Sequence, residues 1–326
     1  MNSPDAIAVV VLNWRQAALT RRCLESLSRQ QTNLPWHLVV VDNESSQAER
    51  DQIGQAVEAL WTNRQPTWQS AALLTSEANL GFAGGMNCGI VYARQSHPAM
   101  GYWLLNNDIE LADDALQALH VAAREYPDWG IVGSLIEGET GLSGQTLHGG
   151  YCYQPWLSRI RPCTRPEHKP DYMAGAALFI REALIEEIGL LSEDFFLYGE
   201  ELDLAYRARS AGWSQGYARN CRLWHDAGRS TGAASAIAGK SPAWSREYFE
   251  NRSALRLTWK HHRHCLPSVI TVRAAAKLLL GMAGKRHFSA FWQALKDFRR
   301  PLPKLQHSET RLQHQWPEGN SDQTKQ

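Results

Sequence analysis

Four clusters in this sequence have residue types and spacings suited to chemistry on a charged leaving group. The first is Leu104-Leu105-Asn106-Asn107-Asp108, where an apolar run ends in polar side chains. Asp108 there, with Asn106 two residues away on the same side of an extended chain, offers oxygen ligands to a hard cation. Mg2+ or Mn2+ would fit, with phosphate oxygens completing the shell. The second is Asn79-Leu80-Gly81-Phe82-Ala83-Gly84-Gly85-Met86-Asn87. Its glycines let backbone approach a ligand, and a following helix would aim its first N–H groups at it. The third runs from Phe195 through Tyr198, Glu200, Glu201 and Asp203 to Leu204. Carboxylates crowded into one helical turn repel one another, which raises a pKa as a general base requires. The fourth is His225, an imidazole able to complete a Mn2+ shell or meet a phosphate.

Each cluster also has a plainer reading. Asx residues open turns and cap helices, and glycines often precede helices. Acidic residues favour helix N-termini because of the macrodipole. Asp203 and Arg207 stand at i, i+4, and an ion pair is the preferred reading for Asp203. A lone His is commonly structural.

The elements that must position these residues alternate along the chain. Apolar runs at 6–12, 37–41, 71–75 and 101–105 read as buried strands. Helices are expected near 16–30, 47–63, 85–96 and 113–126. The alternation predicts an α/β, Rossmann-like, mostly parallel sheet flanked by helices. Ligands gather outside the carboxyl ends of such strands. There stand Asn13-Trp14, Asp42-Asn43, Asn79 and Asn106 to Asp108, four polar ends together. Beyond 137 a Gly/Pro-rich excursion to about 170 reads as a loop or hairpin. A strand over 173–182, a short helix ended by Gly189, a helix over 200–211 and a strand over 217–225 follow. The expected domains are a catalytic unit over 1–240 and a helical extension over 241–300. The first divides into a nucleotide half to about 110 and an acceptor half. The polar tail over 301–326 is expected to be disordered.

Composition narrows the class. The chain has 326 residues, is 44% hydrophobic and carries a net charge of +1. A global field recruiting nucleic acid is not implied. Its 13 Trp suit stacking surfaces or core packing. The six cysteines are scattered singles without a CxxC pair, read as reduced thiols favouring a cytosolic setting. No signal peptide and no membrane-length apolar run is read, so the protein should be soluble or peripheral. Residues 268–284 suggest an amphipathic helix with Arg273 and Lys277 facing an anionic membrane, or a helix packed on the catalytic unit. His261, His262, His264 and Cys265 fit no structural zinc spacing.

In this order the segments resemble inverting glycosyltransferase family 2, and within it rhamnosyltransferase-like members with a GT-A fold. The resemblance covers roughly residues 6–260. It rests on Val11-Leu12-Asn13-Trp14, Val41 to Ser46, Asn79 to Gly85, Leu104 to Asp108, Gly175 to Arg181, Phe195 to Leu204, and His225. It implies that Asp42 bonds the nucleotide base and that Asn13, Trp14 and Asn43 lie beside it. Gly81, Gly84, Asn87, Asn107 and Gly175 would border the donor. Asn106, Asp108 and His225 would form the metal–diphosphate site, and Glu201 would be the base, with Glu200 the alternative. Tyr198 and Asp203 would stand nearby. Three departures are visible: Glu44 for the usual Gly, Asn106 for the first Asp of a DxD, and Glu201 for the usual Asp. The implied reaction moves a sugar, with rhamnose from dTDP-rhamnose the first guess, to a glycan or lipid-linked acceptor in surface-polysaccharide synthesis. The implied place is the cytoplasm or the inner membrane face. Competing functions are a nucleotide-sugar binder without turnover and a nucleotidyltransferase. The latter expects a glycine-rich basic loop after the first strand, where Asn13-Trp14-Arg15-Gln16 stands instead.

Overall fold

A computed structural model of the chain describes residues 5–137, 149–163, 169–225, 239–282, 288–302 and 310–316. Strand β1 (Ile7–Asn13) shows why a sheet forms. Ile7, Val9 and Val11 enter one core, and Ala8 and Val10 enter another on the opposite face. Both faces are covered, so the run has no polar half. Strands β2 (Trp36–Asn43), β3 (Trp68–Ser76) and β4 (Gly101–Asn106) join it in parallel. The crossovers are α1 (Ala17–Ser28), α2 (Gln47–Thr62) and α3 (Gly81–Ser96). Helix α2 opens with a capping box, Ser46 and Glu49 each bonding the other's backbone.

The remaining elements are β5 (Ile109–Leu111), α4 (Ala115–Glu125), β6 (Trp129–Glu137), β7 (Gly150–Gln154), β8 (Arg159–Pro162), β9 (Tyr172–Met173), β10 (Ala177–Arg181), α5 (Glu182–Ile188), α6 (Glu200–Ser210), β11 (Ser214–His225), α7 (Pro242–His261), α8 (Leu266–Met282), α9 (Phe288–Asp297) and β12 (Thr310–Trp316). The large sheet runs β12-β3-β2-β1-β4-β10-β6-β11-β5, and β8-β7-β9 form a small one. Helices α1, α2 and α4 cover one face, and α3, α5 and α6 the other.

The structure departs from the expectations in five places. The sheet is mixed, because β10 lies antiparallel between β4 and β6, and β5 and β12 lie antiparallel at the two edges. Helix α3 starts at Gly81, within the glycine cluster, not near residue 85. The tail is not wholly disordered. Its strand β12 pairs with the β3 edge through backbone bonds, which need no apolar composition, and Trp316 is buried. Residues 317–326 lie outside the described residues. Cys152 and Cys163 form a disulfide, because antiparallel pairing of β7 and β8 brings their Cα atoms to 5.7 Å. Cys23, Cys88, Cys221 and Cys265 are buried and lie outside this disulfide. Finally, Arg273 and Lys277 turn inward: Arg273 Nη1 donates to Asn251 Oδ1 at 2.9 Å, and Lys277 pairs with Glu247. Among the described residues no helix is long and apolar enough to cross a membrane.

A buried polar network ties the strand ends together. Asn13 Nδ2 donates to Asp42 Oδ1 at 2.6 Å and to Ser45 Oγ at 3.1 Å. Thr20 Oγ1 and Asn107 Nδ2 donate to Asn13 Oδ1 at 2.7 and 3.1 Å. Arg50 Nε and the Ser45 amide donate to Asp42 Oδ2, each at 3.2 Å. Asn43 bridges onward, accepting from the Leu80 amide at 2.8 Å and donating to Asn79 Oδ1 at 3.0 Å.

The C-terminal helices hold α6. Asp203 is fully buried and receives Arg207 Nε at 2.8 Å and Lys260 Nζ at 2.6 Å, with His261 Nε2 at 2.7 Å. Burial opposes its ionisation, but the bonds from His261 and Lys260 prevail and hold its pKa down to about 2. Two outcomes follow. Asn13→Ala strips partners from Asp42, Thr20 and Asn107 at once and should lower unfolding stability by about 3 kcal/mol in urea titrations. A loss below about 0.5 kcal/mol would mean that the network contributes little. The ionised Asp203 stabilises the fold above its unfolded pKa of about 3.9, and that contribution should vanish as pH falls toward 2. Stability measured across that range should drop more steeply for the wild type than for Asp203→Asn.

Candidate active site

The acidic turn begins with backbone in an uncommon conformation. Tyr198 has φ +69° and Gly199 φ +94°, so the chain reverses sharply before α6. Three bonds hold this turn. The Phe82 amide donates to Phe196 O at 2.8 Å, Ser253 Oγ to Leu197 O at 2.8 Å, and Arg252 Nη1 to Asp194 O at 2.8 Å. Gly81 is required where it stands, since its φ is +71° and a Cβ would overlap Phe196 O.

The turn delivers Glu200 and Glu201 at the start of α6. Glu200 is 2% exposed, and its Oε2 has no hydrogen-bond partner among the described residues. Burial and the Glu201 charge push its pKa well above the usual carboxylate range. Glu201 is half-buried, and burial raises its pKa as well. Its carboxylate lies directly on the backbone of Gly175, where a Cβ would overlap Oε1. One residue on, Ala176 O accepts from the Asn106 amide at 2.9 Å. The acidic turn and the end of β4 therefore meet through the segment that leads into β10.

From that strand end the chain passes Asn107 and Asp108 into β5. Pairing of His225 with Ile109 between β11 and β5 sets His225 Nε2 3.2 Å from Asp108 Oδ1. Asp108 is 5% exposed. The two line a cavity of about 220 Å³ together with Leu19, Arg22, Glu110 and Trp224. One carboxylate and one imidazole, with Asn106 close in sequence, form a mixed oxygen and nitrogen donor set. That set suits a divalent cation whose remaining ligands come from phosphate. No group of three His, Cys, Asp or Glu gathers as a metal cluster among the described residues.

The other expected residues divide. Asn13, Asp42, Asn43 and Asn107 gather at the strand ends but spend their polar atoms on one another and on protein neighbours. Trp14 stays half-buried beside them. Asn87 faces the protein, donating to Leu191 O and Glu193 Oε1, both at 2.9 Å. Gly84 lies against Leu80 within α3. Asp203 faces α7, and burial raises the Tyr198 phenol to about 12. Sequence reasoning passed over Arg50, the cation on Asp42, and Arg252, the buried clamp of the acidic turn. The partners of Arg252, Asp194 O and Arg300 O, come from segments distant in the chain.

Several known proteins are similar to this chain in sequence or fold. The chain is 26% identical over 255 residues to N-acetylglucosaminyl-diphospho-decaprenol L-rhamnosyltransferase of Mycobacterium tuberculosis, covering 70% of this chain and 78% of that protein. It is 25% identical over 209 residues to the low-salt glycan biosynthesis hexosyltransferase Agl10 of Haloferax volcanii, covering 63% and 62%. The crystal structure of GalNAc-T7 with UDP, GalNAc and Mn2+ superposes with a TM-score of 0.58 at 14% identity, over 90% of this chain and 57% of that one. The mannosyltransferase PcManGT of Pyrobaculum calidifontis, in complex with GDP-Man and Mn2+, gives 0.50 at 15% identity, over 90% and 81%. These likenesses show a GT-A-type fold. The family model described as Glycosyl transferase family 2 matches residues 7–187. That span exceeds half of the sequence, and the chain is therefore a glycosyltransferase belonging to glycosyl transferase family 2.

Proposed function

We propose that the enzyme transfers a sugar, with inversion, from a nucleotide-diphosphate donor to a hydroxyl of a glycan or lipid-linked acceptor in surface-polysaccharide synthesis. The first donor to try is dTDP-rhamnose, on the strength of the 26% identity to the decaprenol-linked rhamnosyltransferase. The observation that carries the reading is the meeting of Glu201, Gly175 and the end of β4. It supports a base on one side of a site whose other side holds Asp108 and His225. The enzyme would work at the cytoplasmic face, where a lipid-linked acceptor would bring it to the membrane.

In this reading Glu201 accepts the proton of the acceptor hydroxyl. The oxygen attacks the anomeric carbon from the face opposite the diphosphate, the bond to the diphosphate breaks, and configuration inverts. Asp108 and His225, with Asn106 near, would hold Mg2+ or Mn2+, which would supply charge neutralisation for the departing diphosphate. Trp14 and the loops bound to Asp42 and Asn43 would border the nucleotide. Burial and the neighbouring Glu201 charge oppose ionisation of Glu200, which favours Glu201 as the base of the two.

Glu201→Gln should keep donor affinity, measured by calorimetry, and lose transfer by about 100-fold or more. Transfer at the wild-type rate would refute the assignment. Because burial raises the Glu201 pKa, kcat/KM should fall on the acid side at a pH above the usual value of about 4.3 for Glu. An acid limb at or below that value would count against Glu201. Gly175→Ala should displace the Glu201 carboxylate and lower kcat by about tenfold or more, with donor affinity within about twofold. Unchanged kcat would show that Glu201 does not act from this position.

A further inference from the structure

Helix α8 is arranged in reverse of an ordinary surface helix. Its two cations point into the protein. Arg273 donates to Asn251 Oδ1 at 2.9 Å and to Ser158 O at 3.3 Å, and Lys277 pairs with Glu247. Its exposed positions Thr271, Val272, Ala275, Ala276, Leu278 and Leu279 carry no charge. Leu278 and Leu279 are 55% and 65% exposed. A helix packed on a soluble protein shows its polar side to water, so this face calls for a covering. Ser268, Val272, Ala276 and Leu279 follow one helical stripe. At the head of the stripe Ser268 Oγ donates to Trp156 O at 2.8 Å. Trp156, in the turn between β7 and β8, is 56% exposed and meets His264 edge-on.

Charge selects what covers this surface. Residues 156–163 and 263–282 contain no Asp or Glu. Arg159, Arg161 and Arg263 are exposed around the Trp156 end. Two copies of this face would set arginines against arginines with no carboxylate to offset them. An anionic bilayer complements every part: acyl chains for Val272, Leu278 and Leu279, the interface for Trp156, and lipid phosphates for the arginines.

We propose that α8 and the Trp156 turn form a docking surface for an anionic lipid bilayer. The use of such docking rests on the lipid-linked acceptor proposed above, while the binding itself needs neither donor nor acceptor. The test sediments the full chain with vesicles of phosphatidylcholine alone, or with about one-third phosphatidylglycerol. The wild type should bind the anionic vesicles at least about tenfold more tightly, and added salt should weaken binding. The double variant Leu278→Glu, Leu279→Glu should lose about tenfold or more in vesicle affinity. Arg159→Glu with Arg161→Glu should abolish the preference for anionic vesicles. Both pairs of positions are exposed, so unchanged circular dichroism and donor hydrolysis confirm intact folding. The proposal is overturned if the wild type pellets with neither vesicle or if the variants pellet as the wild type does. It is equally overturned if sedimentation equilibrium finds a dimer that the leucine variant dissolves. An enzyme that docks but hydrolyses no donor would count against the catalytic reading alone.

Discussion

Polar groups buried at the ends of β1, β2 and β4 must find partners without water, and this requirement organises the whole site. An unpaired buried amide costs about 1–3 kcal/mol, and an unpaired carboxylate costs more. Asn13 meets the requirement for three segments at once, facing Asp42, Thr20 and Asn107. Arg50 then balances the Asp42 charge. Such a network has few satisfied alternatives, so it holds the strand ends in one register. The loops that leave those ends, toward Trp14, toward Asn79 and toward Asp108, inherit fixed starting points.

The acidic turn depends on segments from three parts of the chain. The start of α3 holds Phe196, α7 holds Leu197 and Asp194, and Gly175 leaves room for Glu201. The left-handed backbone at Tyr198 would relax if these contacts were absent. This also explains the C-terminal helices. Arg252 and Asp203 join α7 to the turn and to α6, so the extension acts as scaffold for the carboxylates. The glycine cluster at 81–85 serves close packing: Gly81 meets Phe196, and Gly85 meets Leu12 of β1.

One departure from the family pattern now has a physical account. Glu44 stands where Gly is usual, and its φ is +72°, a left-handed conformation that glycine adopts freely. For a residue with a Cβ this costs about 1–2 kcal/mol. Its side chain reaches Arg15 Nη2 at 3.2 Å and Trp14 Nε1 at 3.5 Å, contacts glycine cannot make. Those bonds offset part of the strain and close the rim beside Trp14.

Much of the architecture of the first half of the chain was legible from residue order alone. Continuous β-branched runs marked β1 and β2 because strands covered on both faces have no polar alternation. Asp203 with Arg207 was legible because i, i+4 pairing is local. Other features depended on contacts between remote segments. Nothing local marks 310–316 as a strand, because its partner is the open edge of β3. The Cys152–Cys163 pair required the β7–β8 register. The inward turn of Arg273 and Lys277 was undecidable from spacing, since a helical stripe does not say which side meets protein. The sequence by itself determined which segments are apolar, which turns carry carboxylates and which family pattern they follow. Only the tertiary structure decided which polar groups face one another, because that choice is set by satisfying buried hydrogen bonds across segments far apart in the chain.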